Sequence, residues 1–433
     1  MKKTTIIATG DSFMTRRLPE GGYEGFEALR RVIAEYDVRF NNLETTIHRN
    51  SGYPAAFSGG TWAMSDPEVL DDLNTFGFNV YNTANNHSCD YSHGGLLATI
   101  ANLQARKTVF CGTGANLFEA SRPCYIEAPQ ARVAVLAACS SFHDSDAAGN
   151  QSLSLPGRPG LNPLRYTKVF NVKADDFAVL SRIAEENYVN ADKLDAIRLG
   201  YAPPFPEGYM AFGELRFQRS DTAGVRSFPL EKDMVRMEKN IRDAKLQADY
   251  VLVSIHAHEF AGNDTAVPAE FLRHFAHRCI DAGADAILGH GPHELRGIEI
   301  YGGKPIFYSL GNFIFETETV AVQSADAYEN KSLPHDTLVG EYMNERSAQG
   351  TRGYGIMKQI WASVMAGFIV EDGAIREITL YPITLGMDKP RGQMGLPQLA
   401  EDTWVINYLA KLSAPFGTEI RIENGVGKVI LGD

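Results

Sequence analysis

The segment FNVYNTANNHSCD, residues 78–90, decides the fold class that this sequence predicts. A short apolar run of strand character ends in three asparagines, a histidine and an aspartate, polar groups that normally need partners in a folded chain. Four other apolar runs end in similar residues: Asp11, Glu44, His256 with His258, and His290 with His293. In open α/β sheets, ligands bind beyond the carboxyl ends of the strands. The sequence therefore predicts an α/β fold whose strand ends meet at one polar site.

The order of the predicted elements supports this fold. Strand-like and helix-like segments alternate through residues 1–142, and the alternation resumes in residues 231–316. Such alternation predicts a layered α/β fold with helices covering both sheet faces. The part between them, residues 143–230, is rich in proline, glycine and aromatic residues and is too long for a structureless loop. We expect it to be an insertion or lid that shapes a substrate site.

We expect a single domain over residues 1–433, closed by a C-terminal part, residues 317–433, of irregular chain and final strands. Within that part, residues 317–355 are polar and acidic, and a hairpin is expected to turn at residues 371–373. Near the N-terminus, the sequence DPEVLDDLNTFG predicts a helix with Asp66 as N-cap and Pro67 as its first residue. The run TVFCGTG predicts one continuous strand.

Composition excludes several classes of protein. The chain has 433 residues, 44% hydrophobic and 22% charged, which is enough to bury a sizeable core. The net charge of −12 argues against nucleic acid and anionic membranes as partners. No apolar run is long enough to span a membrane, and MKKTTIIATGDSF resembles a first core strand more than a leader, so we expect a cytoplasmic protein. The five cysteines include no C-x-x-C pair, which predicts buried free thiols.

The residue types at the strand ends predict a metal site. An aspartate after a strand is commonly a cap, and a His-x-His pair is commonly solvated, but five such ends in an alternating pattern favour a shared ligand. Carboxylate, imidazole and amide oxygen together suit Mn, Fe, Zn or Ca. The candidate metal ligands are Asp11, Glu44, Asn86, His256, His290 and His293. His48 and His335 are expected at the surface.

The same stretches resemble a known family. The motifs ATGDSFMTR, NNLETTI, NTANNHSCDYSHGGLLATIANL, CGTGANLFEASRP, DYVLVSIHAHEF and DAGADAILGHGPHELRGIEIYGGKPIFYSLGNFIFE cover most of residues 4–142 and 245–316. They are similar to the calcineurin-like metallophosphoesterase superfamily, and within it to the CapA-type family named for poly-γ-glutamate capsule synthesis. The resemblance implies a four-layer αββα sandwich with one or two divalent ions at the strand ends.

The resemblance also implies roles for individual residues. Asp11 and Glu44 match the first and the bridging metal carboxylates, and Asn86 matches the metal-binding asparagine. His87 matches the acid/base histidine, and Asp90, three residues on, is close enough to orient its ring. The remaining matches to metal-binding histidines are His256, His290 and His293. His258 is an additional imidazole, counted with His87 and Asp90 among the candidate catalytic residues.

Two features depart from the family pattern. Phe13 stands where the superfamily often has a histidine, and Gly291-Pro292 separate the closing histidines, which normally have one residue between them. The first metal position is therefore poor in ligands, and a single ion is an alternative to two.

Three functions fit these residues. The first is metal-assisted hydrolysis of an amide or phosphoester in a peptide-like or poly-γ-glutamate-like substrate. The second is epimerisation at a peptide Cα, a role associated with relatives in lasso-peptide biosynthesis. The third is a non-catalytic accessory of polymer synthesis or export. Arg158 and Arg165 in the insertion are candidate partners for a substrate carboxylate.

Overall fold

The computed structural model describes residues 3–432, which form 24 strands and eleven α-helices. The strands are β1 (Lys3–Phe13), β2 (Val38–Leu43), β3 (Thr46–Ile47), β4 (Met64–Ser65), β5 (Val80–Asn82), β6 (Phe110–Cys111), β7 (Thr113–Gly114), β8 (Cys124–Glu127), β9 (Arg132–Cys139), β10 (Gly160–Leu161), β11 (Tyr166–Val172), β12 (Tyr209–Phe212), β13 (Leu215–Arg219), β14 (Gly224–Pro229), β15 (Tyr250–His256), β16 (Ala286–His290), β17 (Leu295–Tyr301), β18 (Lys304–Leu310), β19 (Asn312–Phe315), β20 (Ala362–Glu371), β21 (Ala374–Thr384), β22 (Gln398–Leu399), β23 (Ile420–Glu423) and β24 (Val426–Val429). The helices are α1 (Phe26–Ala34), α2 (Val69–Thr75), α3 (Ser92–Ala105), α4 (Leu117–Ser121), α5 (Ala174–Glu186), α6 (Ala191–Arg198), α7 (Glu231–Lys245), α8 (Glu270–Asp281), α9 (Ala325–Glu329), α10 (Val339–Ser347) and α11 (Trp404–Ser413).

Two large sheets carry the fold. The first has ten strands along the order β23-β24-β21-β20-β1-β2-β5-β6, with β19 paired to β1 and β22 to β21. The second has six strands in the order β17-β18-β16-β15-β9-β8. The central strands β1, β2 and β5 are parallel to one another, as are β9, β15 and β16. Because parallel strands end at the same edge, each sheet collects its strand ends on one side.

The main core lies between the two sheets. Its buried side chains include Ile6, Phe40 and Val80 from the first sheet and Val135 and Leu252 from the second. Burial of each such side chain contributes about 1.5–3 kcal/mol relative to exposure. This packing brings the polar ends of the central strands of both sheets together.

Helices cover the outer face of each sheet. α1 and α2 bury Leu29, Ile33 and Leu73 against the first sheet, at the spacing expected of one helix face. α7 and α8 bury Met237 and Phe275 against the second. The layers therefore run helix, sheet, sheet, helix, which confirms the αββα sandwich.

The insertion at residues 143–230 has its own four-stranded sheet, ordered β12-β13-β11-β14, with α5 and α6 beside it. This sheet rests on α8. Tyr166 stacks on Phe271 with ring centroids 4.2 Å apart, and Glu270 accepts a hydrogen bond from Ser227 N at 2.8 Å. The insertion is thus a folded unit anchored beside β15 rather than a loose loop.

The C-terminal part differs from the expected irregular chain at residues 317–355, where α9 and α10 form. Ser324 accepts a hydrogen bond from Ala327 N at 3.2 Å and caps α9, while Tyr328 and Tyr342 pack edge to face at 5.3 Å. The prediction was wrong because a few widely spaced buried aromatics supply the packing in an otherwise polar stretch. The predicted hairpin is confirmed, since β20 and β21 pair antiparallel across residues 372–373.

Two element boundaries also differ from prediction. α2 begins at Val69, because Val69 N donates to Asp66 O at 2.9 Å and closes a turn ahead of the helix, so Asp66 is not its N-cap. The predicted strand over TVFCGTG splits into β6 and β7. Gly112 lies between them with a φ of 105°, a conformation that interrupts a strand.

His48 is buried, contrary to the expected surface position. Its side chain is in an edge-on contact with Tyr91, with ring centroids 5.0 Å apart, and burial lowers its pKa to about 4. Its polar and charged neighbours in the sequence TTIHRN misled the prediction. His335 is exposed as expected.

The cysteines follow expectation within residues 3–432. All five are free thiols; Cys124 is half-buried and the other four are buried. Over the same residues, no helix combines the length and apolar character needed to cross a membrane.

Candidate metal centre

The strand ends of both sheets deliver five of the six predicted metal ligands to one place. Asp11 lies near the end of β1, and Glu44 directly follows β2. His256 and His290 are the last residues of β15 and β16 and sit opposite each other in register. His293 follows three residues later, after a turn through Gly291 that brings it back over the cluster. All of these five side chains are buried.

The two carboxylates lie among the histidine rings. Asp11 has oxygens 3.8, 3.5 and 3.7 Å from Nδ1 of His256, His290 and His293. Glu44 has one oxygen 3.5 Å from His256 Nε2 and the other 3.8 Å from His293 Nδ1. These separations are too long for strong hydrogen bonds. They leave the carboxylates facing the imidazole nitrogens across a small gap.

Glu44 is the residue that most clearly indicates a cation-binding site. Its side chain is 0% exposed, and neither carboxylate oxygen accepts a hydrogen bond from any of residues 3–432. Burying an uncompensated carboxylate costs several kcal/mol. Desolvation and the nearby charge of Asp11 raise the pKa of Glu44 well above its usual value. Desolvation likewise raises the pKa of Asp11 to about 7.

The histidine rings contact one another, and His290 Nε2 also lies within hydrogen-bond distance of Ser254 Oγ, at 2.7 Å. His256 has Nδ1 2.9 Å from His290 Nδ1 and Nε2 3.2 Å from His258 Nε2. Burial lowers the pKa of His290 to about 3 and that of His293 to about 4. The pKa values of His256 and His258 fall well below normal for the same reason. The rings are therefore neutral at pH 7 and retain lone pairs for a cation.

These donors fit the divalent ion that the fold implies. Three sets of side chains each bring three ligand atoms within 4.8 Å of one another: Asp11, His256 and His290; Glu44, His256 and His258; and Asp11, Glu44 and His293. Buried carboxylate and neutral imidazole form a donor set suited to Mn, Fe or Zn. The sets share members, so the arrangement suits one ion or two adjacent ions.

Asn86 adds an amide oxygen beside the histidines. It is half-buried, and its Nδ2 donates to Gly59 O at 2.9 Å. That bond fixes the amide orientation and leaves Oδ1 buried without a hydrogen-bond partner among residues 3–432. This unpartnered carbonyl oxygen is consistent with the ligand role predicted for Asn86, which stays a prediction.

His87 and Asp90 form a hydrogen-bonded pair, with 2.7 Å between His87 Nδ1 and Asp90 Oδ2. Asp90 is held in turn by Gly59 N at 3.0 Å and Ala63 N at 2.8 Å. The carboxylate therefore fixes the ring orientation and its tautomer, leaving Nε2 available to a substrate. Phe13 packs edge-on against His87, with ring centroids 5.1 Å apart, and forms an apolar contact on one side of that ring.

A layer of asparagines that the sequence did not reveal supports the ligands. Asn42 donates to Asp11 at 2.7 Å, and Asn82 donates to Asn42 at 2.6 Å. Asn312 Oδ1 accepts a hydrogen bond from His293 Nδ1 at 2.9 Å. An asparagine inside an otherwise apolar strand, as in VRFNNL and LGNFIF, is the sequence feature that could have predicted these supporting residues.

Two further residues complete the surroundings. His258 is half-buried, with its backbone N donating to Ser141 Oγ at 2.8 Å. Tyr354, from the C-terminal part, packs edge-on against His293 at 5.7 Å and covers that side of the cluster. No motif pointed to Tyr354, because the spacing between a tyrosine and a strand-end histidine 61 residues earlier carries no signal.

A cavity of about 540 Å³ opens beside the metal centre. Its walls include Asn86 and His258 from the centre and Arg165 from the insertion. Arg165 Nη1 also donates to both oxygens of Asp233 at 3.1 Å. Arg158 is exposed, is absent from these walls, and donates through Nε to a backbone carbonyl at 2.8 Å. The structure thus brings Arg165, but not Arg158, to the cavity.

Comparisons with known proteins agree with this architecture. A protein of Sinorhizobium fredii named "Uncharacterized protein y4sH" is 34% identical over 99% of this chain and 93% of its own length. "PGA biosynthesis protein CapA" of Bacillus subtilis is 28% identical over 67% of this chain and 56% of its own length. The solved structure of an NAD nucleotidase (NadN) of Haemophilus influenzae covers 88% of this chain and 56% of that chain, at 10% identity and a TM-score of 0.36, which is too low to bear on function.

The family model described as "Bacterial capsule synthesis protein PGA_cap" matches residues 5–317. That range contains the whole second sheet, nearly all of the parallel central strands of the first sheet and every candidate metal ligand. The chain therefore belongs to the PGA_cap family of bacterial capsule synthesis proteins, to which the CapA-type resemblance pointed.

Proposed function

We propose that this protein is a metal-dependent hydrolase that cleaves an amide bond in a peptide-like or γ-glutamate-linked substrate. The observation that carries this proposal is the buried carboxylate of Glu44, which accepts no hydrogen bond within residues 3–432 and faces neutral imidazoles. The family adds the chemical class, since one relative is named for PGA biosynthesis. The candidate ion is held by Asp11, Glu44, Asn86, His256, His290 and His293.

A divalent cation in such a site supplies Lewis acidity, which polarises a carbonyl oxygen and lowers the pKa of water. The chain's own contribution is positioning and proton transfer. Asp90 accepts a hydrogen bond from His87 Nδ1, so that Nε2 can take a proton from the attacking water and pass it to the departing amine. Phe13 and Gly59 crowd this ring, and a Cβ at residue 59 would lie 2.8 Å from Nε2. That crowding limits how the ring can turn.

Arg165 is proposed as the anchor of a substrate carboxylate. The buried cluster of Asp233, Arg165 and Arg236 holds two positive charges and one negative charge, so it keeps a net positive charge. Nε and Nη2 of Arg165 have no hydrogen bond to any of residues 3–432. The guanidinium at the cavity wall therefore retains donors for an anion. We leave Arg158 out of this role because it lies outside the cavity.

One observation favours hydrolysis over epimerisation. Epimerisation needs an acid/base group on each face of the carbon, whereas hydrolysis needs one proton donor at the leaving group. Within the cluster, His87 is the histidine that hydrogen-bonds directly to a carboxylate, at 2.7 Å. His258, the candidate for the second face, contacts His256 and lacks such support.

The test is turnover of γ-glutamyl oligopeptides by the metal-loaded protein in D₂O. New amino groups without deuterium at Cα are the expected products. Deuterium at Cα without new amino groups would establish epimerisation instead. Bound substrate with neither product would indicate an accessory role.

His87→Ala should then lose nearly all turnover while keeping its metal, because His87 is assigned to proton transfer and not to the ion. His277→Ala is a matched control, since His277 also hydrogen-bonds a carboxylate, Glu299, at 3.0 Å but lies outside the cluster. Equal turnover in both variants would remove His87 from the mechanism.

A further inference from the structure

The cavity beside the metal centre holds a carboxylate that the proposed hydrolysis does not use. Glu259 lies one residue beyond His258 and lines the cavity. Ser140 Oγ donates to one of its oxygens at 2.7 Å and Ser141 Oγ donates to the other at 3.0 Å. Both oxygens are therefore fixed in place by neutral donors.

Glu259 makes no direct ion pair in the described chain, and the buried Arg296 acts on it only through its longer-range charge. Among residues 3–432, no lysine, arginine or histidine forms an ion pair with it, although Arg165 lines the same cavity. Arg165 instead pairs with Asp233, and the side chain of Arg165 is 27% exposed. The cavity thus presents one fixed anion and one available cation that do not neutralise each other. A cavity lined by both Glu259 and Arg165 complements a ligand that carries a positive and a negative charge.

The chemistry of peptides narrows what that ligand can be. In an α-linked chain, the first residue has lost its free carboxylate and the last has lost its free amine. Only a free amino acid, or the first residue of a chain linked through its side chain, keeps both groups on one carbon. A γ-linked glutamate chain ends in such a head group.

The cavity also has room for a chain beyond the head group. A second cavity of about 300 Å³ shares Tyr166 and Glu259 with the first and continues along the insertion past Lys168 and Phe260. The two together form a groove that leads away from the metal centre. A free amino acid would leave this second part unfilled, so a linked chain suits the groove better.

Building on the proposed function, we propose that the cavity binds the zwitterionic amino-terminal residue of a side-chain-linked, γ-glutamyl-type chain. Glu259 receives the α-ammonium and Arg165 the α-carboxylate, while the linked chain continues along the insertion. Glu259 is thus a specificity-determining residue. The γ-carbonyl of the bound residue is placed toward Asn86 and His258 on the metal side of the cavity.

Calorimetry on the metal-loaded protein tests this with three probes: γ-L-glutamyl-L-glutamate, its N-acetyl derivative and free L-glutamate. Wild type should bind the free-amine dipeptide at least about tenfold more tightly than the acetylated one, as expected of a charged hydrogen bond. Glu259→Gln keeps an acceptor for the serine hydroxyls but removes the charge, so it should reduce that ratio to near one. Asp144→Asn is the matched control, because Asp144 is an exposed carboxylate on the same wall.

The outcomes separate this proposal from the metal centre. A Glu259→Gln variant that keeps the preference for the free amine would overturn the assignment, as would a wild type that ignores acetylation. Tighter binding of free glutamate than of the dipeptide would overturn the proposal that the ligand is a linked chain. If metal-loaded wild type binds none of the probes, the cavity is not a site for this amino-terminal residue. That result would not contradict the assignment of the metal centre. Protein that holds no metal would instead overturn the proposed function.

Discussion

Two buried carboxylates in this molecule, those of Asp233 and Glu44, have opposite surroundings. Asp233 in α7 is 0% exposed and accepts hydrogen bonds from Arg165 N at 2.9 Å and from Arg236 Nη1 at 2.6 Å. Glu44 is also 0% exposed, but it has no hydrogen-bond partner among residues 3–432. The first charge is neutralised by the chain, whereas the second is surrounded by neutral rings and another carboxylate. A buried charge left without a counter-charge indicates a ligand rather than a structural ion pair.

A third buried carboxylate supports this distinction. Asp285 is paired with Lys245 at 2.7 Å and Lys304 at 2.6 Å, and also accepts from Val251 N at 2.9 Å. The chain therefore supplies cations to buried carboxylates elsewhere. Within residues 3–432 no lysine or arginine pairs with Glu44, which supports the proposed role of that site in binding a cation.

The largest expected effect is loss of metal from the Glu44 site. Glu44→Gln keeps the size of the side chain but removes its charge, so the purified variant should carry almost no divalent ion. Elemental analysis of wild type and variant measures this directly. Wild-type metal content in the variant would mean that Glu44 is not a ligand.

Asp233→Asn should lower the stability of the protein but leave its metal content unchanged. Removing one partner of a buried ion pair leaves uncompensated charge, here on two arginines, and costs about 3–5 kcal/mol of unfolding free energy. Urea denaturation should show that loss while elemental analysis shows unchanged metal. Loss of metal with unchanged stability would mean that Asp233 supports the metal centre rather than the stability of the fold.

The asparagine layer should have an intermediate effect. Asn42→Ala removes the hydrogen bond that orients Asp11, and loss of such a supporting bond weakens metal binding by about 10–100-fold. Competition with a metal-sensitive chelator dye measures the change. Asn79→Ala is a suitable control, because Asn79 bonds the backbone of Asp37 and Arg39 away from the centre. An unchanged affinity in Asn42→Ala would make that layer a packing feature only.

The smallest effect is a pH dependence of the metal-stripped protein. Asp11 has a folded-state pKa of about 7, above its ordinary value of 3.8, so its contribution to stability is lost as pH rises toward 7. Glu44, raised further, extends that loss to higher pH. His290 is opposite: its pKa is lowered from 6.5 to about 3, so stability is lost as pH falls below 6.5.

The stripped protein should therefore be most stable near neutral or slightly acidic pH. Above pH 6.5 the histidines no longer change the free energy of unfolding with pH. Each carboxylate that still titrates in this range lowers the free energy of unfolding by up to about 1.4 kcal/mol per pH unit. Thermal unfolding between pH 6.5 and 8 should show this decline without metal and not with metal. A decline of the same size in Glu44→Gln would mean that Glu44 plays no part in it.

The sequence predicted which side chains are candidate ligands but not the residues that hold them in place. Asp11, Glu44 and the histidines stand at strand ends, where alternating strands and helices make their convergence predictable. Asn312 and Tyr354 reach the centre through long-range packing that no local pattern encodes. The burial of His48 was missed for the same reason, since it depends on the close approach of Gly95, where a Cβ would lie 2.7 Å from His48 Nε2.

The insertion shows the same limit. Its length and composition predicted a role near the substrate, but not its four-stranded sheet or its contact with α8. Arg158 and Arg165 looked equivalent in the sequence. Only the fold separates them, because Asp233 holds Arg165 at the cavity wall.

The most direct test of the metal centre is a crystal structure of the metal-loaded protein, with diffraction recorded at the absorption edge of the bound ion. We expect an anomalous peak about 2.0–2.6 Å from a Glu44 carboxylate oxygen and from a ring nitrogen of His256. A protein that contains metal by elemental analysis but shows its anomalous peak away from Glu44 would contradict the account.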